Sequence, residues 1–193
     1  NVVEFPFVPV VDGRFLVEEP KILLENGEFK STDILMGSNK EEAFFFLLSH
    51  FQSELPMKEN VTIPHEQLKK IIRKLFPLCN KSMIKEIISR YVGNNLSDGH
   101  RNLNALDKMV GDVKFTCGVN DYARMYAEND CNVYMYYFTQ QSEKDPWPKW
   151  TGVKHADEIN YIFGGPLNES LNYSQMEQQF SRRMMRYWAN FAK

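Results

Sequence analysis

Hydrophobic positions recur along this chain in two rhythms. Leu68, Ile71, Ile72 and Leu75 fall at i, i+3, i+4 and i+7, shortly after Pro64, and Ile84, Ile87, Ile88 and Tyr91 repeat the spacing. Each set lines one side of an α-helix. A third helix is predicted over roughly residues 119–127. Ser174-Gln175-Met176-Glu177 has the spacing of a capping box. It predicts a last helix with Met176, Phe180, Met184, Tyr187 and Phe191 as its apolar stripe. The other rhythm is that of strands. Asp33-Ile34-Leu35-Met36-Gly37 is a short apolar run ended by Gly, and its lack of polar alternation suits a buried parallel strand. Residues 132–139 are aromatic and β-branched and form the strongest strand signal. Pro6 to Gly13 reads as an extended segment turning at Asp12-Gly13. A polar, Pro-containing loop covers Gln140 to Val153. Strands alternating with helices predict an α/β architecture with a parallel sheet. Two strands are too few for a complete sheet, so the chain reads as part of a larger domain.

Composition sharpens this picture. The 193 residues are 43% hydrophobic and 13% aromatic, enough for a packed core. A net charge of −2 argues against a nucleic-acid binder. The longest apolar run, Ala43 to Leu48, falls far short of a membrane span. The chain begins at Asn1 with no signal-peptide pattern and stops at Lys193 within a helical pattern, so both ends are expected to be cut. Cys79, Cys117 and Cys131 are an odd set and cannot all pair internally. Sequons begin at Asn60, Asn80, Asn95, Asn168 and Asn172, and five of them favour a secreted or cell-surface glycoprotein.

Chemistry read from position alone is sparse. His65-Glu66 starts like a zinc-protease helix, but the second ligand position is Lys69. There is no Cys-x-x-Cys pair, no Gly-rich phosphate loop and no G-x-S-x-G nucleophile elbow. Neither metal nor cofactor is expected. Of the four histidines, His155 lies in a loop before a Phe-Gly turn, where catalytic residues tend to sit. The commoner fate of such a histidine is a bond to backbone. Glu42 reads as a solvated carboxylate and Phe44-Phe45-Phe46 as core. Trp147 and Trp150, in a polar loop, hint at a binding surface.

Longer stretches carry more. Phe7 to Gly13, Gly37-Ser38-Asn39-Lys40-Glu41-Glu42, Leu106 to Asp112, Phe115-Thr116-Cys117 and Arg186 to Lys193 occur in this order. The densest is Trp147-Pro148-Lys149-Trp150-Thr151-Gly152-Val153-Lys154-His155-Ala156-Asp157-Glu158 and the residues on to Gly164. Together they resemble the cholinesterase branch of the carboxylesterase-type α/β-hydrolases, most closely its invertebrate acetylcholinesterases. The resemblance covers nearly all of this chain and about the last third of the family's catalytic domain.

The resemblance implies a C-terminal portion, residues 1–193, of a single α/β-hydrolase domain with a mostly parallel central sheet flanked by helices. It implies a triad with Glu42 as acid and His155 as base, and the serine upstream. The activity implied is hydrolysis of acetylcholine through an acyl-enzyme, with the oxyanion hole outside this chain. By position, Phe45 faces a quaternary ammonium, Phe46 shapes the acyl pocket, Trp147 lines the gorge and Glu158 is a buried acid near the choline site, whose loss is expected to disturb His155 and the aromatic wall together. Cys117 matches a cysteine whose disulfide partner lies beyond the chain. A homodimer and attachment to a membrane through a further C-terminal tail are also implied, and the helix of Ile84, Ile87 and Ile88 serves either that dimer or the core. Three departures stand out. Ala43 replaces the usual Gly after the triad Glu, which is expected to shift Glu42 slightly. Ala156-Asp157 replaces a Gly-Tyr common in vertebrate forms, and Ser49 replaces an aromatic residue at the gorge rim. The alternatives are a broader carboxylesterase and a non-catalytic adhesion module of the neuroligin type. The 193 residues alone are expected neither to hydrolyse esters nor to fold stably.

Overall fold

The computed structural model describes residues 7–93 and 96–193. Two parallel strands organise it: β1 (Ile34–Asn39) pairs in register with β2 (Val133–Phe138), from Ile34 opposite Val133 to Asn39 opposite Phe138. A parallel pair needs a long crossover. Here it holds α2 (Phe44–His50), α3 (His65–Leu75), α4 (Lys81–Val92), α5 (Gly99–Gly111), a π-helical turn at Asp112–Thr116 and α6 (Cys117–Glu128). A short helix α1 (Pro20–Glu25) precedes the sheet, and α7 (Asp157–Ile162) and α8 (Gln175–Phe191) follow it.

The periodic helices form where the pattern puts them. Leu68, Ile71, Ile72 and Leu75 are fully buried against Phe44, Leu47, Leu103, Leu106 and Met109. Ile84 and Ile88 join the same core and Ile87 packs at its edge, so the α4 stripe is used within this chain. The Ser174 capping box opens α8. Its buried side differs from the predicted stripe: Glu177, Ser181 and Met184 face inward, while Met176, Tyr187 and Phe191 are exposed. Polar contacts set this rotation. Glu177 accepts from the Tyr161 hydroxyl at 3.0 Å and the Ser142 hydroxyl at 2.7 Å, and the Ser181 hydroxyl donates to the Tyr161 carbonyl at 2.7 Å. Phe180, Tyr187, Trp188 and Phe191 instead line a groove of about 770 Å³ beside β2. Tyr134, Met135 and Tyr137 of β2 are likewise exposed.

β1 does not stop at Gly37 as the pattern suggested but continues to Asn39. Gly37 is needed for close approach rather than for a turn. A Cβ there would overlap the backbone oxygen and ring of Tyr136 on β2. Ala156, at the start of α7, has φ +72° and ψ 5°, the left-handed region that favours Gly. Of the sequons, Asn60, Asn80, Asn168 and Asn172 are exposed, and Asn95 lies outside the described residues. Among the described residues no helix is long and apolar enough to cross a membrane.

Two substitutions in the full-length protein test these backbone demands by thermal melting. Gly37→Ala forces the strands apart and is expected to destabilise by about 1–3 kcal/mol. Ala156→Gly relieves roughly 1–2 kcal/mol of left-handed strain and adds roughly 0.5–1 kcal/mol of chain entropy cost. The net gain is about 0.5–1 kcal/mol, which in a protein about three times this length raises the melting temperature by roughly 1 °C or less.

Candidate functional site

The site forms where the chain leaves the two strands. After β1, the Glu41 amide donates to the Val153 carbonyl at 2.9 Å, and Glu41 pairs with Lys154 in a parallel bridge. The Glu41 carboxylate accepts from the Val153 amide at 2.7 Å. Gly152 makes room for it: its φ is +60°, and a Cβ would collide with that carboxylate. The loop after β2 is thus returned beside the end of β1. Glu42 and His155, 113 residues apart, each follow directly from this pairing, and His155 Nδ1 lies 2.6 Å from Glu42 Oε2.

Glu42 is only 6% exposed, so its charge needs protein donors. Its other oxygen accepts from the Asn39 amide at 2.6 Å. His155 is held above its ordinary pKa, first by the hydrogen bond to Glu42; burial opposes this, the charges of Glu42 and Glu158 add to it and Lys114 works against it. With Nδ1 engaged by a carboxylate, Nε2 is the nitrogen placed to accept a proton. Lys154 fixes the residue before. It is buried, and its ammonium meets Asp145 at 2.5 Å and Asp157 at 3.1 Å. A buried lysine needs such pairing. Ala43, in place of Gly, strains nothing: its φ is −95° and it is fully buried beside Phe44.

Aromatic rings border the imidazole. Phe115 stacks on it at 4.5 Å between centroids, and Phe46 lies 5.3 Å away. Phe46 and Phe115 stack at 5.6 Å, with the Lys114 ammonium 4.8 Å from the Phe46 ring. Phe45 meets Phe46 edge-on at 5.3 Å and stacks on Trp147 at 5.9 Å. Phe45 is 47% exposed, whereas Phe44 turns into the core. The run of three phenylalanines is therefore divided, one for the core and two for the wall. Trp150 is structural: its indole donates to the Lys58 carbonyl at 2.7 Å and its ring meets Phe44 edge-on.

The structure thus brings Glu42, His155, Phe46, Phe45 and Trp147 into one continuous set. Glu158 joins the same region through hydrogen bonds and its charge on His155. Its carboxylate accepts from the Asn39 side chain at 2.5 Å and the Tyr136 hydroxyl at 3.4 Å. Asn39 also donates to the Lys154 carbonyl at 2.7 Å, so it ties the Glu42 turn to the His155 turn. Burial and then Glu158 push the Tyr136 hydroxyl pKa up. Cys117 is exposed at the start of α6. Among the described residues no three His, Cys, Asp or Glu side chains converge on a metal-sized site. Phe115 and Asn39 were not singled out from the sequence. Phe115 lies in the π-helical turn, where no periodicity signals its direction, and Asn39 reads as an ordinary polar residue.

The chain is 41% identical to acetylcholinesterase 1 of Caenorhabditis elegans over 98% of its own length and 32% of the relative's. It is 39% identical to acetylcholinesterase 1 of Caenorhabditis briggsae over the same shares. It is 38% identical to the acetylcholinesterase of Bungarus fasciatus, over 100% of this chain and 32% of that one. The chain therefore spans about a third of the length of these relatives. The carboxylesterase family model matches residues 1–193. The in-register parallel strands, the acid and imidazole turns at their ends and this full-length match lead to one assignment: the chain belongs to the carboxylesterase family and is part of an α/β-hydrolase.

Proposed function

We propose that the full-length protein is a serine esterase for choline esters, and that this chain supplies its acid, Glu42, and its base, His155. The observation that carries the reading is the 2.6 Å contact between His155 Nδ1 and a buried Glu42, beside an exposed aromatic wall. The relatives named acetylcholinesterase support the substrate class. The nucleophilic serine and the oxyanion hole come from the remainder of the polypeptide. No G-x-S-x-G occurs within these 193 residues, and alone they hydrolyse no ester.

The steps follow from the geometry. His155 Nε2 takes the serine hydroxyl proton as the oxygen attacks the ester carbonyl. Glu42 holds the tautomer and offsets the imidazolium charge. The imidazolium then gives its proton to the leaving choline oxygen, which leaves an acyl-enzyme. Water, activated by the same imidazole, releases the acid. Phe46 and Phe115, packed on the imidazole, limit the room for the acyl group. The cationic head lies against Phe45. Trp147 already carries the Lys154 ammonium 5.5 Å from its ring centre, so Phe45 offers the freer face. An extracellular enzyme with glycans on the exposed sequons and a disulfide from Cys117 fits the same reading. A homodimer fits the same reading, with Ile84 and Ile88 of α4 already buried in the core of this chain.

Two measurements check this. Glu42→Gln in the full-length enzyme is expected to lower kcat by about 10⁴-fold. The acid limb of its kcat/KM profile also moves. The base must be neutral, so activity falls as pH drops through the raised His155 pKa; losing the carboxylate lowers that pKa and moves the limb to lower pH. Unchanged turnover in this variant sinks the triad. Phe45→Ala is expected to raise KM for acetylthiocholine by about 2- to 30-fold, the size of one cation–π contact, and to leave its uncharged dimethylbutyl analogue nearly unaffected. Equal losses on both esters point instead to a broader carboxylesterase.

A further inference from the structure

The helix α5 carries a buried carboxylate that the proposed chemistry does not use. Asp107 is 2% exposed, and its Oδ1 accepts from the Ala43 amide at 2.9 Å and the Phe44 amide at 3.1 Å. These are the two peptide units directly after Glu42. They open α2, whose cap position is Ala43 and has no side chain able to bind them. Asp107 therefore does from another helix what a local Ser or Asp does elsewhere. Two neighbours on α5 act on the same turn. Lys108 donates to the Lys40 carbonyl at 2.9 Å. At Gly111, one turn on, a Cβ would reach ordinary van der Waals contact with the Glu42 Cβ, 3.5 Å away, so α5 passes beside the acid.

We infer that Asp107 is a positioning residue: it sets the rotation of the Glu42 turn, and hence the Glu42–His155 contact, together with the start of the helix bearing Phe45 and Phe46. This rests on the triad reading above. Residues 40–44 are held at one end by β1 and at the other by α5. The Ala43 and Phe44 amides lie between Glu42 and the wall residues Phe45 and Phe46, so their acceptor fixes both at once. An apolar residue at 107 leaves two buried amides without an acceptor, and the turn relaxes toward whatever oxygen it can reach. Burial pushes the Asp107 carboxyl up to about 7, with Glu41 adding to the shift and the two amides and Lys108 opposing it. An oxygen acceptor survives in either protonation state, so reach rather than charge is the property required.

Three variants of the full-length enzyme separate reach from charge, with rates counted per active site by titration with a phosphorylating inhibitor. Asp107→Ala is expected to lose about 10²-fold in kcat, the cost of an ångström-scale displacement. Its acid limb shifts to lower pH, because His155 loses the carboxylate that raises its pKa; Glu158 and Lys114, which also face His155, are unchanged. Asp107→Asn keeps an oxygen at the same reach and is expected to recover most of the loss and to restore the limb. Asp107→Glu keeps the charge but lifts the carboxylate off the amides, and is expected to behave like Asp107→Ala. If Asp107→Ala fails to fold, the Asn and Glu variants still decide. A more active Glu variant than Asn variant assigns the role to charge and overturns the inference. So does a normal limb in Asp107→Ala or in Asp107→Glu, which marks a structural role alone. Glu42→Gln run in parallel separates the two readings. If it retains turnover, the triad falls and this inference with it. If it is inactive while all Asp107 variants are normal, only this inference falls.

Discussion

A carboxylate taken out of water must be solvated by the protein, and the geometry around Glu42 follows from that requirement. Its two oxygens find donors at the end of β1, the Asn39 amide, and on the loop after β2, the His155 imidazole. The second contact exists only while that loop is held beside the end of β1. The parallel pairing of β1 and β2 brings the two segments close, and a separate Glu41–Lys154 bridge captures the returning loop just past the sheet. Desolvation costs that would be prohibitive for an unpaired charge thus become the reason for a fixed distance between acid and base.

The same economy of contacts runs through the second loop. Lys154 is buried between two aspartates and also lies over Trp147, so one side chain anchors the imidazole turn and the outer end of the aromatic wall. Asn39 spans both turns through its side-chain amide. Phe115 covers one face of the imidazole and Phe46 lies tilted beside it. Orientation of the imidazole is thus supplied by packing and hydrogen bonds from rigid elements.

Much of the fold was legible because it depends on apolar periodicity. α3, α4, α6 and both strands lie near their predicted positions for that reason. α5 and α2 were not legible, for opposite reasons. α2 is apolar on nearly every side, so no stripe stands out. α5 buries Asn102 and Asp107 among its apolar residues, which breaks the pattern that betrays a helix. Asn102 is fully buried because its amide serves the Ile63 and Leu96 carbonyls. The α8 stripe was misjudged because Glu177 and Ser181, polar in the sequence, are drawn inward by Tyr161 and Ser142. At the site, Glu42, His155 and the wall residues came from family resemblance. Position alone gave them little weight, because their meaning lies in a contact between turns more than a hundred residues apart. Ala43 and Ala156 show the limit of reading departures by residue type. Both replace Gly, yet only Ala156 occupies a backbone conformation that Gly would favour.

The bridge between Glu41 and Lys154 has a consequence for how such an enzyme can diversify. The chain leaves the sheet at Phe138 and is captured again at Val153, and Ser142, Asp145, Trp147 and Trp150 pin the excursion between. Its length does not set where His155 lands, because the capture point does. Insertions and deletions away from these pinned residues can therefore reshape the loop while the Glu42–His155 contact stays in register.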